Sequence, residues 1–295
     1  MNSPNSPPQT LVIETDPRAM RARVADALRG GLRVGFVPTM GALHAGHDSL
    51  VSRATGECDA VAVSIFVNPT QFGPREDYSR YPRTFEADCG RLRPLGVRWV
   101  FAPSVEGMYP TGDATRVHVA GPADRWEGAF RPGHFDGVAT VVAKLLAAVP
   151  ATKAYFGEKD WQQAAVIRRM AADLLLPTEI VVCPTVREAD GLAMSSRNMY
   201  LSASERARAA AIARSLDRGS DLWDRGVDAG TIERSARGSL GEMGFEVDYW
   251  SIVCEDSLVP VAELPAATGG LRPRIITACR LGSTRLIDNR GLPPR

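Results

Sequence analysis

The chain has 295 residues, 44% of them hydrophobic and 23% charged, the composition of a folded protein with room for two packed domains. Thirty-five basic residues against 34 acidic ones leave a net charge of +1, which removes the electrostatic argument for nucleic acid or an acidic membrane and favours small-molecule substrates. The five cysteines are scattered and form no CxxC pair, so neither a disulfide framework nor a zinc ribbon is implied, a reduced cytoplasm fits, and no apolar run reaches membrane-spanning length.

Met1 to Thr10 (MNSPNSPPQT) has no basic start and no apolar centre, and reads as a flexible tail rather than a signal peptide. Leu11 to Ile13 is a short strand, and Asp16-Pro17 caps a helix over Arg18 to Arg29 that Gly30-Gly31 ends. Val34, Phe36 and Val37 predict a buried parallel strand that breaks at Pro38, followed by a tight loop and a helix from Gly46 toward Arg53. At such a junction the first helical N–H groups lack internal partners and the dipole end is positive, which suits a phosphate. His44 and His47 flank that end, three residues apart, so both imidazoles can donate to the same phosphate oxygens. Two surface histidines are the plainer reading of an isolated HxxH, and the rest of the chain has to decide.

Ala60 to Val67 (AVAVSIFV) reads as a second parallel strand buried on both faces. Asn68 to Gly73 (NPTQFG) follows its carboxyl end, where open α/β sheets place ligands, so Asn68 and Gln71 are candidates. A helix over Thr84 to Leu92, a strand over Val97 to Phe101, a buried helix over His134 to Val149, a strand over Lys153 to Phe156, a helix over Trp161 to Leu175 and a strand over Thr178 to Val182 continue the alternation. Glu106 to Arg131 has no assignable pattern and reads as a long functional loop or a small excursion from the sheet. Beyond Leu201 the order changes to helices over Ser204 to Trp223 and Thr231 to Met243, then strands over Phe245 to Val253 and Arg274 to Cys279, with strand or hairpin material at Gly282 to Asp288. The expected fold is α/β: a Rossmann-like parallel sheet with helices on both faces over residues 11–185, and a smaller α+β C-terminal domain over 186–295.

Two further stretches carry chemistry. Gly157-Glu158-Lys159-Asp160 opens a helix; Lys159 can face phosphate and Asp160 can accept from ribose hydroxyls, although in isolation an exposed charged turn is the better reading of the stretch. Met194-Ser195-Ser196-Arg197-Asn198 offers hydroxyls and a guanidinium fork, a set that suits phosphate.

His44-Ala45-Gly46-His47 resembles the HIGH signature of nucleotidyltransferases and class I aminoacyl-tRNA synthetases, and Met194 to Asn198 resembles their KMSKS loop, with Ala193 at the first Lys position and Arg197 at the second. The ordered set PTMGALHAGH, NPTQFGPREDYSRYPRT, RPGHFDGV, FGEKDWQQ and MSSRNMYLS resembles the pantoate–β-alanine ligase family from about Leu11 to the C-terminus. Two small departures are Ala45, where that family often has Glu, and Trp161, where it has another aromatic.

The resemblance implies ATP-dependent ligation of pantoate and β-alanine through pantoyl adenylate, releasing pyrophosphate and AMP. It implies catalytic roles for His44, His47, Lys159 and Arg197, and an ATP site over Met40, Gly41, Ala42, Leu43, His44, Ala45, Gly46, His47, Gly157, Glu158, Lys159, Asp160, Val186, Met194, Ser195, Ser196 and Arg197. Gln71 would serve pantoate and β-alanine and Gln163 pantoate, with Thr39 and Asn68 beside them. ATP would act as a substrate with Mg²⁺, with no organic prosthetic group and no assigned protein metal ligand. The C-terminal domain would act as a lid, and the enzyme would be a cytoplasmic homodimer. The nearest rival is a same-fold nucleotidyltransferase acting on a phosphorylated alcohol, which would be expected to need cations near Gln71, where the chain offers amides. A metal-binding or structural protein lacks further ligands for His44 and His47, and a non-catalytic nucleotide sensor would bind ATP without turnover.

Overall fold

The computed structural model describes residues 11–74, 76–265 and 270–295; the expected tail, Met1 to Thr10, lies outside the described residues. The described residues divide into two compact units, one drawn from within 1–119, 132–157 and 167–183, the other from within 120–131, 158–166 and 184–295. Instead of the single boundary expected near Val186, residues 120–131 and 158–166 group with the C-terminal segment. Hydrogen bonds explain this: Trp161 Nε1 donates to the Glu255 carbonyl at 2.9 Å and Trp126 Nε1 to that of Leu258 at 2.8 Å.

The first unit is built on six parallel strands, β1 (Val12–Glu14), β2 (Val34–Thr39), β3 (Ala60–Ile65), β4 (Trp99–Phe101), β5 (Lys153–Gly157) and β6 (Glu179–Cys183), in the order β1-β4-β3-β2-β5-β6. Successive strands step one way from β2 through β3 to β4, and β5 then returns to the other side of β2. The chain direction therefore reverses between β2 and β5, the place where open α/β sheets bind ligands beyond the carboxyl ends of their strands. The apolar runs of β2 and β3 are buried because helices cover the sheet, and Val37, Val51, Val63, Val100 and Tyr155 share one core cluster. Pro38 does not end β2, contrary to expectation. The strand continues to Thr39 against β3, while pairing with β5 covers only Gly35 and Phe36, so the missing N–H of Pro38 falls beyond that ladder.

The helix His134–Ala148 is apolar on almost every side and correspondingly buried. A Cβ at Gly137 would collide with the carbonyl of Thr70, so only glycine lets this helix approach the 3-10 turn Pro69–Gln71 that follows β3.

The second unit carries the antiparallel strands β7 (Glu246–Cys254), β8 (Pro273–Leu281) and β9 (Thr284–Gly291), with β8 in the middle. Gly282, at φ +58°, makes the tight β8–β9 turn. The helix expected over Ser204 to Trp223 is two, Ala203–Ala209 and Ala211–Asp224, separated at Ala210. The helix Ala229–Glu242 completes the unit, and Leu216, Trp223, Ile232, Leu240, Trp250 and Ile275 form its core.

Candidate active site

After β2 the chain must turn sharply, and three devices hold the turn. Gly41 takes φ +80° and Ala42 φ +51°; the Thr39 hydroxyl donates to the Ser64 carbonyl at 2.6 Å and accepts from the Gly41 N–H at 3.2 Å; and the buried Asp88 carboxylate accepts from the N–H groups of Ala42 (3.0 Å) and Leu43 (2.8 Å). Asp88 also accepts from the Thr84 hydroxyl at 3.1 Å. Asp88 belongs to none of the motifs legible in the sequence. Its one signal is an acid on the buried face of the helix Phe85–Leu92.

His44 is the N-cap of the helix Ala45–Glu57, in extended backbone at φ −139°. Its Nδ1 accepts from the Gly46 N–H at 3.1 Å, and Nδ1 of His47 accepts from the His44 N–H at 3.3 Å, a reciprocal capping box made of two imidazoles. A ring nitrogen that accepts a backbone hydrogen bond carries no proton, so each neutral ring bears its proton on Nε2. The ring centroids are 4.2 Å apart. This revises one expectation: the N–H groups of Gly46, His47 and Asp48 are engaged within the turn, so the imidazoles and the helix dipole, rather than open backbone donors, make this end suited to an anion.

Beyond β3, Asn68 caps the turn Pro69–Gln71, its Oδ1 accepting from the Thr70 N–H at 3.3 Å. Gln71 lies next to the loop after β2, with Nε2 donating to Met40 Sδ at 3.1 Å, and its carbonyl is 2.9 Å from His134 Nδ1. The first unit thus gathers Thr39 to His47, Asn68 and Gln71 beyond β2 and β3, and Gly157 ends β5 beside them in the sheet.

The second unit holds the other candidates. Glu158–Asp160 forms a 3-10 turn leading into the helix Trp161–Asp173, with Lys159 Nζ 3.6 Å from the Asp160 carboxylate. The Asn289 amide donates to the carbonyls of Glu158 and Lys159, and Glu158 accepts from Arg274 at 3.0 Å. Arg274 lies 3.6 Å from the Trp161 ring centroid, so β8 and β9 hold the turn that carries Lys159. The adjacent glutamines differ. Gln162 is buried and fully used, its Oε1 accepting from the Glu127 N–H and its Nε2 donating to the carbonyls of Pro122 and Arg125, whereas Gln163 is half-buried.

Val186 and Met194 meet directly, the Met194 N–H donating to the Val186 carbonyl at 3.0 Å beside the bridge between Arg187 and Ala193. Arg187 anchors this hairpin through a fork to Asp288 at 2.7 and 3.0 Å. Ser195 caps the 3-10 helix Ser196–Tyr200, its hydroxyl accepting from the Arg197 N–H at 3.3 Å. Thr185 Oγ1 and Asn198 Oδ1 are buried without a partner among the described residues, an arrangement that leaves hydrogen-bonding capacity next to this loop.

A parallel sheet whose strand order reverses at β2, with a helix N-terminus just beyond that strand, places the chain in the Rossmann-like class of α/β proteins. The family described as Pantoate-beta-alanine ligase matches residues 12–291. The pantothenate synthetase of Acidiphilium cryptum is 54% identical over 92% of this chain and 96% of its own length, and that of Granulibacter bethesdensis 52% identical over 88% and 90%. Among solved structures, the pantothenate synthetase of Thermus thermophilus is 47% identical, with a TM-score of 0.88 over 96% of this chain and 99% of its own. The Francisella tularensis pantoate–β-alanine ligase, complexed with β-γ ATP and β-alanine, is 35% identical, with a TM-score of 0.78 over 96% of this chain and 98% of its own. This chain belongs to the pantoate–β-alanine ligase family, whose members form a C–N amide bond.

Proposed function

We infer that the chain joins pantoate to β-alanine with ATP, in two steps. A pantoate carboxylate oxygen attacks the α-phosphorus, the bond to the β-phosphate oxygen breaks, and pyrophosphate leaves. The β-alanine amine then attacks the acyl carbon of pantoyl adenylate, loses a proton, and AMP leaves. A carboxylate does not condense with an amine unaided, and AMP as leaving group divides one high barrier into two lower ones. Family membership over residues 12–291 supports the overall reaction.

The observation that carries the residue assignment is the paired cap: both Nδ1 atoms accept within the turn, so both Nε2–H groups are fixed as donors. Preorganised donors at the phosphorus need no reorientation as charge grows in the transition state. In this reading His44 and His47 stabilise the α-phosphate, and Lys159 and Arg197 neutralise the departing pyrophosphate. Met40 to His47, Gly157 to Asp160, Val186 and Met194 to Arg197 line ATP. Gln71 and Gln163 orient pantoate through neutral amides that add no charge beside an anionic nucleophile; Thr39 and Asn68 support them, and Gln71 also serves β-alanine. ATP would act with Mg²⁺, whose charge would help to neutralise the phosphates, and no residue of the chain is assigned to the ion. We read the enzyme as a cytoplasmic homodimer; none of its described helices is long and apolar enough to cross a membrane.

The test is isotope exchange. Labelled pyrophosphate should enter ATP with pantoate alone, because adenylation reverses before any amine arrives. Exchange that required β-alanine would overturn the adenylate route.

A further inference from the structure

We propose that Tyr109 is a positioning residue whose hydroxyl, acting through Asn68, fixes which end of the Gln71 carboxamide faces the substrate. The inference rests on the reading of Gln71 as a pantoate ligand, and it gives a role to a residue in the segment 106–131, which had no assignable pattern.

The relay is directional. Tyr109 follows the short helix Val105–Met108 and lies 2.8 Å from Asn68 Oδ1 through its hydroxyl, which is also 3.2 Å from the Thr70 hydroxyl. The Thr70 N–H and hydroxyl reach the same Oδ1 at 3.3 and 3.0 Å. Donors converging on one atom make that end of the amide the oxygen, and Asn68, at 1% exposure, has no water to turn toward. Nδ2 must then point the other way, where it donates to Gln71 Oε1 at 3.1 Å and to the Gly137 carbonyl at 3.2 Å. With Oε1 held by Asn68, Gln71 presents Nε2, which donates to Met40 Sδ at 3.1 Å. A thioether is a weak acceptor, and a hydroxyl or carboxylate oxygen of a hydroxy acid is a better one, so substrate can displace it.

Tyr109 is itself held. Lys144 Nζ sits 4.6 Å from the ring centroid, donates to the Met108 carbonyl at 2.8 Å and pairs with Asp113. Burial raises the phenol above its ordinary pKa, so it remains a donor across the neutral range. Without that hydroxyl, Asn68 Oδ1 loses one of three donors; Thr70 and the Gly137 carbonyl still favour the same amide orientation but hold it less tightly, so the Gln71 amide reverses more often and offers Oε1 to an anionic substrate.

Tyr109→Phe deletes only the oxygen. In the ligand-free protein the Gln71 side-chain ¹⁵N–¹H₂ signals should be sharp in wild type and broadened in the variant; unchanged line shapes overturn the relay whatever the substrate is. In pantoate-dependent pyrophosphate exchange, the variant should raise KM for pantoate about fivefold, the loss of roughly one neutral hydrogen bond, with kcat and KM for ATP within about twofold. The effect should vanish in a Gln71→Ala background, and a loss that persists there overturns the proposal. A wild type that shows no pantoate-dependent exchange strikes the functional reading instead, and the amide line shapes still decide the relay.

Discussion

The Asn289 side-chain amide donates to the main-chain carbonyl of Lys159 at 2.9 Å and, with the same nitrogen, to that of Glu158 at 2.8 Å. Its Oδ1 accepts from Arg274, which stacks on Trp161, so a residue of β9 dictates the backbone from which Lys159 projects. Asn289→Ala should slow exchange about tenfold by loosening that turn, and Lys159→Ala about 100-fold by removing the charge itself. Pyrophosphate exchange under saturating pantoate measures both, and an Asn289→Ala enzyme at wild-type rate would dissociate the amide from Lys159 function.

The cap that His44 forms and the phosphate-donor role proposed for it can be separated by one substitution set. As N-cap, His44 stabilises the helix Ala45–Glu57, so His44→Ala should lose about 1 kcal/mol as well as about 100-fold in adenylation. Asparagine is a good N-cap without an Nε2–H. His44→Asn should therefore regain the stability in urea melts and none of the activity; recovery of both would remove the imidazole from the chemistry.

The neighbouring glutamines should behave oppositely. Gln162→Ala leaves the Glu127 N–H and the Pro122 carbonyl without their partner and takes from the Arg125 carbonyl one of its two donors, the Gly128 N–H remaining, which should cost about 2 kcal/mol or more. Gln163→Ala should change stability by less than about 0.5 kcal/mol while weakening pantoate about tenfold. Titration calorimetry and denaturation together decide, and a destabilised Gln163→Ala protein would make that residue structural.

Acid stability should depend on Glu57. Arg53 first, then Lys153 and Tyr155, hydrogen-bond its carboxylate and hold its pKa down to about 2. An unfolded glutamate titrates near about 4.3, so between those values the unfolded chain binds more protons and stability falls as pH falls. Wild type should lose stability more steeply than Glu57→Gln from about pH 5 to pH 3. Parallel urea-midpoint profiles would show that this pairing does not persist in solution.

Nucleotide should order the hairpin and loop over residues 184–201. An ATP analogue with pantoate should slow hydrogen exchange there, with smaller changes across the β7–β9 sheet. No added protection, together with full adenylation by Arg197→Ala, would remove the Met194 to Arg197 loop from the nucleotide site.

The parallel strands and their helices were legible in the sequence because their signals are local: β3 is an unbroken apolar run, Pro17 and Gly30 bracket a helix, and HAGH opens another directly after a strand. The family was legible for a related reason, since its motifs are short contiguous stretches whose order survives translation into a string. What the string could not carry was any property set by a partner far along the chain. Asp88 holds the N–H groups of Ala42 and Leu43 across more than 40 positions, Asn289 reaches Lys159 across 130, and Tyr109 reaches Asn68 across 41. The same holds for Gln162 and Gln163, identical in type and adjacent, of which tertiary contacts alone make one a buried strut. Pro38 looked like a strand breaker because local propensity assumes a ladder on both sides, and only the register with β5 removed that demand. The protonated nitrogen of each histidine lies between these cases: its partners are only two and three residues away, yet spacing alone brings the rings together without saying which nitrogen accepts, and the folded turn, by using both Nδ1 atoms as acceptors, leaves the proton on Nε2.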